Sequence, residues 1–304
     1  MADRLNEGEE VVFDITHAFR SLPLLAFIAA AYLRKTKDIN LKAIVYGALE
    51  ARYEEDATEV TPVFDLTPFI ELLDWMTATE QFRATGNARL LAEMLKARQG
   101  AAASLAYKIQ NLSQGLRILR PLQVMREAAE LSQAINSAKV EVTGTVPPFA
   151  ELIDRVSRDY GRFGLANPDA EKQDAARLLK QLDLVEWYFE KRQIVQSLAL
   201  MREWLPSLVC YRLRLDPLER EARKVAENLL NEYLAQLNGK PYTWSQVARS
   251  DGMKESWHIL TDLRNDVLHA GLSRQPRRYQ TVEKRAEELI KKLGEIAARQ
   301  NLQP

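Results

Sequence analysis

Val11-Val12-Phe13-Asp14-Ile15, then Thr16-His17, Pro23 and Lys42-Ala43-Ile44-Val45-Tyr46-Gly47, decide the fold of the first part of this chain. The first run is β-branched and aromatic, the composition of a buried strand, and Thr16-His17 end it. Pro23 suits a first helical turn and opens a helix from about Leu24 to Arg34. Lys42–Tyr46 reads as a second strand, closed by Gly47. Strand, helix and strand within about 35 residues make a βαβ unit, with parallel strands and a right-handed crossover. Val63-Phe64-Asp65-Leu66 reads as a third, shorter strand, with Glu54-Glu55-Asp56 marking an exposed loop before it.

From Pro68 the period becomes helical, with Phe69, Leu72, Leu73 and Met76 at three- and four-residue spacing. After a break at Thr85-Gly86-Asn87, helical stretches are expected over 88–138, 149–159, 169–199, 200–212, 216–238, 243–269 and 279–300. Breaks fall at Gly144–Pro148, Asn167-Pro168, Pro206, Pro217 and Gly239–Pro241. The expected fold class is α+β, mostly α: a partial Rossmann-like α/β segment with its connector over 1–88, then a large all-helical domain over 89–304.

Lys+Arg and Asp+Glu balance at 42 each, so overall charge argues for no polyanionic partner. The distribution says more. Residues 1–88 hold 8 Lys/Arg against 15 Asp/Glu, whereas 264–304 hold 9 against 5. Arg274, Arg277 and Arg278 cluster in that basic end, which suits phosphate contact, although a solvated helix face has the same composition. The single Cys210 excludes a disulfide framework and a cysteine-based zinc site, and reads as a core residue. The longest apolar run, Leu22–Leu33, is too short for a bilayer and lacks a cleavage signal, so a cytoplasmic location away from membranes is expected.

Leu263-Arg264-Asn265-Asp266-Val267-Leu268-His269-Ala270-Gly271 ends a helix whose apolar stripe is Trp257, Leu260, Leu263 and Val267 or Leu268. Asn265 and His269, four apart, are separated by about 40° and share a face. Arg264 lies about 140° from His269, so the two diverge in one straight helix. They converge only if the helix end bends or a second copy supplies the partner across a two-fold axis. Gly271 is the expected C-cap. A proton-transferring imidazole, a permanent guanidinium and an orienting amide are what RNA cleavage by the substrate's own 2′-hydroxyl requires. Alternatively, Arg264 pairs with Asp262 or Asp266, and His269 sits at the helix C-terminus, where imidazolium is favoured by the dipole. The three histidines, His17, His258 and His269, are too dispersed for a metal site; His258, beside Trp257, reads as structural. No Gly-rich phosphate loop is present.

Arg264-Asn265 followed by His269 resembles the R-x4-6-H signature of HEPN ribonucleases. Asp14-Ile15-Thr16-His17-Ala18-Phe19-Arg20-Ser21-Leu22-Pro23 resembles the motif of the CRISPR-associated DxTHG family, with Ala18 where that motif ends in Gly. Tyr46-Gly47-Ala48-Leu49-Glu50-Ala51 resembles its second strand end, and Asp65-Leu66-Thr67-Pro68-Phe69, Trp75, Phe82 and Thr85-Gly86 its connector. The resemblance implies a Rossmann-like CARF sensor of cyclic oligoadenylate controlling a HEPN domain that cuts single-stranded RNA without a metal. It implies Arg264, Asn265 and His269 as catalytic residues, with Thr16, His17 and Arg20 facing the cyclic oligoadenylate. Thr16-His17 follow a strand's carboxyl end, where open α/β sheets bind ligands; Asp14 and Thr16 also suit a turn cap. Arg274, Arg277 and Arg278 are assigned to RNA. No cofactor is expected beyond that activator.

A complete CARF domain has about another half before the motif, whereas 13 residues precede Asp14, so the sensor is expected to be incomplete or completed by another polypeptide. The divergent half-sites imply a homodimer. Two other functions fit the same residues: a non-catalytic regulator whose helical domain only dimerises, and a toxin-like HEPN ribonuclease held by a partner protein.

Overall fold

The computed structural model describes residues 5–16, 22–55, 58–145, 149–170, 174–247, 252–272, 274–300 and 302. His17, Ala18 and Arg20 lie outside them. The chain divides into two compact units: Met1–Ala78 with Val142–Leu152, and Thr79–Glu141 with Ile153–Pro304. The described part is mostly helical, with small sheets.

In the first unit, β1 (Glu10–Asp14) pairs parallel with β2 (Asn40–Gly47) across α1 (Leu22–Thr36), as the βαβ reading expected. A hairpin of β3 (Tyr53–Glu55) and β4 (Thr58–Val60) precedes β5 (Val63–Asp65), which returns antiparallel to β2. The sheet order is β1-β2-β5. Phe13, Ile15, Ile39 and Ile44 meet Ala30 and Leu33 of α1 and Ile70 of α2 (Thr67–Thr85) in one core. The buried stripe of α2 runs through Ile70, Trp75, Ala78 and Phe82, whereas Phe69 and Met76 are exposed. Of the expected stripe, Leu72 and Leu73 are half-buried, Leu73 against the core; both phases of α2 carry apolar residues, and the packing partner chooses between them.

Two Asp-x-Thr sequences bracket β2 and fasten its neighbours in the same way. The Thr16 N–H donates to Asp14 Oδ1 at 2.9 Å, and Thr16 Oγ1 accepts from the Gly47 N–H at 2.8 Å. The Thr67 N–H donates to Asp65 Oδ1 at 2.9 Å, and Thr67 Oγ1 accepts from the Ile44 N–H at 3.1 Å. A Cβ on Gly47 would sit 2.9 Å from Thr16 Cγ2, so this close crossing requires glycine.

The second unit holds α3 (Arg89–Lys96), α4 (Gly100–Arg117), α5 (Pro121–Thr145, to Glu141), α6 (Phe149–Gly161, from Ile153), α7 (Asp174–Glu190), α8 (Ile194–Leu213), α9 (Arg220–Leu230), α10 (Met253–Leu268) and α11 (Tyr279–Arg299). The expected stretch 88–138 is therefore three helices, turned at Gln99-Gly100 and Leu119. Gln99 and Leu119 take left-handed φ of 61° and 54°, which neither residue type announces. The Glu141 carboxylate accepts from the Ala101 and Ala102 N–H groups at 3.1 and 2.9 Å, capping α4 from a distance.

Two further expectations are corrected in this unit. Pro206 does not break a helix: α8 runs through it. Twelve of its twenty residues are buried, enough packing to outweigh the missing backbone bond. Nor is the unit all-helical, because β6 (Ala235–Leu237) and β7 (Lys240–Tyr242) form a hairpin. Asn238-Gly239 at its tip, with φ of 50° and 77°, is the favoured two-residue turn and was readable as such.

The core of the second unit is aromatic. Phe82 and Tyr160 stack with centroids 4.3 Å apart, and Phe163, Trp187 and Tyr188 extend the cluster edge to face. Two buried aromatic side chains donate to backbone: Tyr188 Oη to Leu116 O at 2.6 Å and Trp204 Nε1 to Leu178 O at 2.9 Å. Helix α8 packs against α7, α9, α10 and α11.

Candidate functional site

Trp257, Leu260 and Leu263 are buried and hold α10 against α8 and α11, which fixes the direction of its last turn. That turn ends in a Schellman arrangement. His269 is the C-cap, the Ala270 N–H bonds Val267 O at 3.1 Å, and the Gly271 N–H bonds Asp266 O at 2.9 Å. The left-handed position just past the cap is Ala270 (φ 55°), and Gly271 (φ 65°) follows it. The expected Gly271 cap is displaced by one residue because the helix stops at Leu268. His269 is exposed, as is His258.

Arg264 and His269 diverge. Asn265 and His269 line a surface cavity of about 500 Å³ with Asp262, Asp266 and Arg277. Arg264 lines a different cavity, of about 620 Å³. Asn265 links the two sides, because Arg264 Nη1 donates to Asn265 Oδ1 at 3.3 Å. Arg264 Nε is buried and has no partner among the described residues. Neither Asp262 nor Asp266 pairs with Arg264; both face Arg277, which bonds Asp262 and lies 3.8 Å from Asp266. Of the three arginines assigned to RNA, Arg277 is thus held by carboxylates, while Arg274 and Arg278 are exposed without an ion pair among the described residues. The His269 cavity carries two carboxylates against one guanidinium.

The Arg264 cavity has the opposite character. Arg120, Arg126, Arg177, Arg202, Arg223 and Arg264 line it, with Glu203 as its lining carboxylate. Sequence reasoning missed the first five, which come from four helices and a loop with no common spacing.

Thr16, assigned to the cyclic oligoadenylate, is half-buried and spends its hydroxyl and its amide on the crossing described above. Its companions His17 and Arg20 lie outside the described residues. Among the described residues, no group of three or more His, Cys, Asp or Glu is placed to hold a metal ion, and no helix is long and apolar enough to cross a membrane.

A mostly helical chain with a small α/β piece and an Arg-Asn-His helix end is the class that the fold and site define. The comparisons place its likeness among CRISPR-associated proteins. Residues 71–168 match the family model for the second domain of CRISPR-associated protein MJ1674. Over 280 residues, 90% of this chain, it is 23% identical to CRISPR-associated protein MJ1674 of Methanocaldococcus jannaschii. The chain spans 39% of that relative's length.

Proposed function

We propose that this chain is a CRISPR-associated HEPN endoribonuclease of antiviral defence, in which Arg264, Asn265 and His269 from two copies form the site that cuts single-stranded RNA. The observation that carries this reading is the Arg264-Asn265-His269 helix end itself, with His269 exposed and Arg264 bonded to Asn265. The divergence of Arg264 and His269 within one chain is the reason for a second copy. In the reaction, His269 takes the proton of the substrate 2′-hydroxyl, and the 2′-oxygen attacks phosphorus. The bond from phosphorus to the 5′-oxygen breaks; that oxygen leaves with a proton, and a 2′,3′-cyclic phosphate remains. Arg264 offsets the charge growing on the phosphoryl oxygens. Cyclic oligoadenylate, bound at the Asp14–Pro23 segment, is the proposed activator.

The test is single-stranded RNA cleavage in EDTA by wild type and His269→Ala. Removing a general acid/base is expected to slow cleavage by about 10²–10⁴-fold. Undiminished cleavage by the variant, or loss of wild-type activity in EDTA, would sink the reading. One observation favours a non-catalytic dimerising regulator instead: Asp262 and Asp266 stand in the His269 cavity, where they repel phosphate. That alternative expects no cleavage by wild type, with or without cyclic tetra-adenylate.

A further inference from the structure

The cavity that Arg264 lines has no counterpart in the sequence motifs, and its electrostatics are unusual. Carboxylates engage four of its six arginines. Arg126 pairs with Asp169 at 3.2 Å, Arg202 with Glu227 at 3.2 Å, Arg177 with Asp174 and Arg223 with Glu203. Arg120 and Arg264 have no carboxylate among the described residues, which leaves an excess of two positive charges around about 620 Å³ of space. Gathering guanidinium groups this way costs free energy through mutual repulsion, and an anion in the cavity relieves that cost.

The walls are built rather than incidental. Arg177 is 2% exposed, and its Nη1 donates to Pro168 O at 2.7 Å. Arg202 lies over the Trp257 ring, 3.7 Å from its centroid, and Arg223 Nη1 donates to Ser207 Oγ at 3.1 Å. Guanidinium forks held in this way lose little freedom when they bind phosphate. Two buried polar atoms on residues lining the cavity lack partners among the described residues. Arg264 Nε is a donor without an acceptor, and Gln181 Oε1, on a side chain 7% exposed, is an acceptor without a donor. The terminal torsion of a carboxamide is broad, so a modest rotation presents either its oxygen or its amino group to the cavity. Leu119, Leu122, Leu200 and Leu218 supply apolar wall between the charged groups.

Charge for a phosphate, apolar wall for a planar ring and an uncommitted carboxamide for a base edge describe one kind of ligand. We infer that this cavity binds a nucleotide unit through its phosphate, with Arg120 and Arg264 as the unpaired phosphate contacts and Gln181 facing the base. The volume lies within the range of small-molecule sites, about 300–1,000 Å³. The nucleotide is either free or one residue of an RNA strand. In the second case the cavity is a strand subsite that shares Arg264 with the proposed cleavage centre and rests on that reading; binding itself does not.

The experiment measures the binding of ADP and of a fluorescein-labelled, 2′-O-methylated 12-nucleotide RNA, which cannot be cleaved through its 2′-oxygens. The proteins are wild type, Arg120→Glu and Gln181→Met, each at two salt concentrations. Arg120 is exposed and unpaired, so its reversal leaves the fold intact, as the melting temperature will show. Wild type is expected to bind, and Arg120→Glu to bind at least about tenfold more weakly, with a log-log salt slope smaller by about 0.7 per lost strand phosphate contact. Gln181→Met is expected to weaken binding without lowering the melting temperature, because it removes an unpaired buried amide. Binding of ADP identifies the free nucleotide, and binding of the oligonucleotide alone identifies the strand. Charge-sensitive binding without any RNA cleavage upholds the cavity while the nuclease reading falls. No binding of either probe by wild type, or equal binding by a folded Arg120→Glu protein, overturns the inference even if RNA is cleaved.

Discussion

At the residue scale, Ala270 and Cys210 show how conformation and burial override residue type. Ala270 holds a left-handed φ that costs an L-residue roughly 1–2 kcal/mol, and nothing in the sequence pattern singles it out. Replacing Ala270 with Gly is expected to raise the unfolding free energy by about 1 kcal/mol, read by urea denaturation. A fall in stability would show that the methyl group makes a contact worth more than the strain. Cys210 is fully buried, and that burial pushes its thiol up to about 12. At pH 8 the folded protein is therefore expected to resist iodoacetamide, with full labelling only in denaturant. Rapid labelling of the native protein would contradict this. The core role of Cys210 was legible from its apolar neighbours Leu208-Val209, whereas the backbone of Ala270 was not, because a helix end moves by a residue at little cost.

At the element scale, the paired Asp-x-Thr crossings hold both neighbours of β2. Thr16→Val leaves the Gly47 N–H without its acceptor, and Thr67→Val leaves the Ile44 N–H likewise. Each is expected to cost about 1–3 kcal/mol, the desolvation cost of an unpaired backbone donor. Thermal denaturation checks this, and Ser at either position should restore most of the loss. The Thr67 hydroxyl and amide hold the Asp65 carboxyl below its ordinary range. Its contribution is therefore complete above the ordinary carboxylate range and is lost as pH falls through the depressed value. Asp65→Asn is expected to flatten the acid limb of the melting temperature against pH; an unchanged limb would remove this contribution. The strands themselves were legible because their composition is local. Their hydroxyl crossings were not, since they join residues 31 and 23 positions apart.

For the whole molecule, the proposed site depends on which groups different chains bring together. Arg264→Ala and His269→Ala are each expected to be inactive alone. If the site spans a two-fold axis, mixing the two dimers after subunit exchange restores about a quarter of the wild-type rate, since half the dimers regain one of two sites. No recovery in a mixture shown to exchange would place both groups in one chain. A non-catalytic regulator predicts no activity to recover. In the first unit, Leu24, Ile28 and Tyr32, one face of α1, are exposed.

What the sequence by itself determined is local and periodic. The βαβ unit, the helical character of the rest, the α10 stripe and the divergence of Arg264 from His269 all follow from spacings within one element. Tertiary structure alone decided where α8 would carry Pro206, which face of α2 is buried, and above all that arginines from positions 120 to 264 surround one cavity. A period is written in neighbouring residues, whereas a cavity's charge is the sum over residues that only folding makes neighbours.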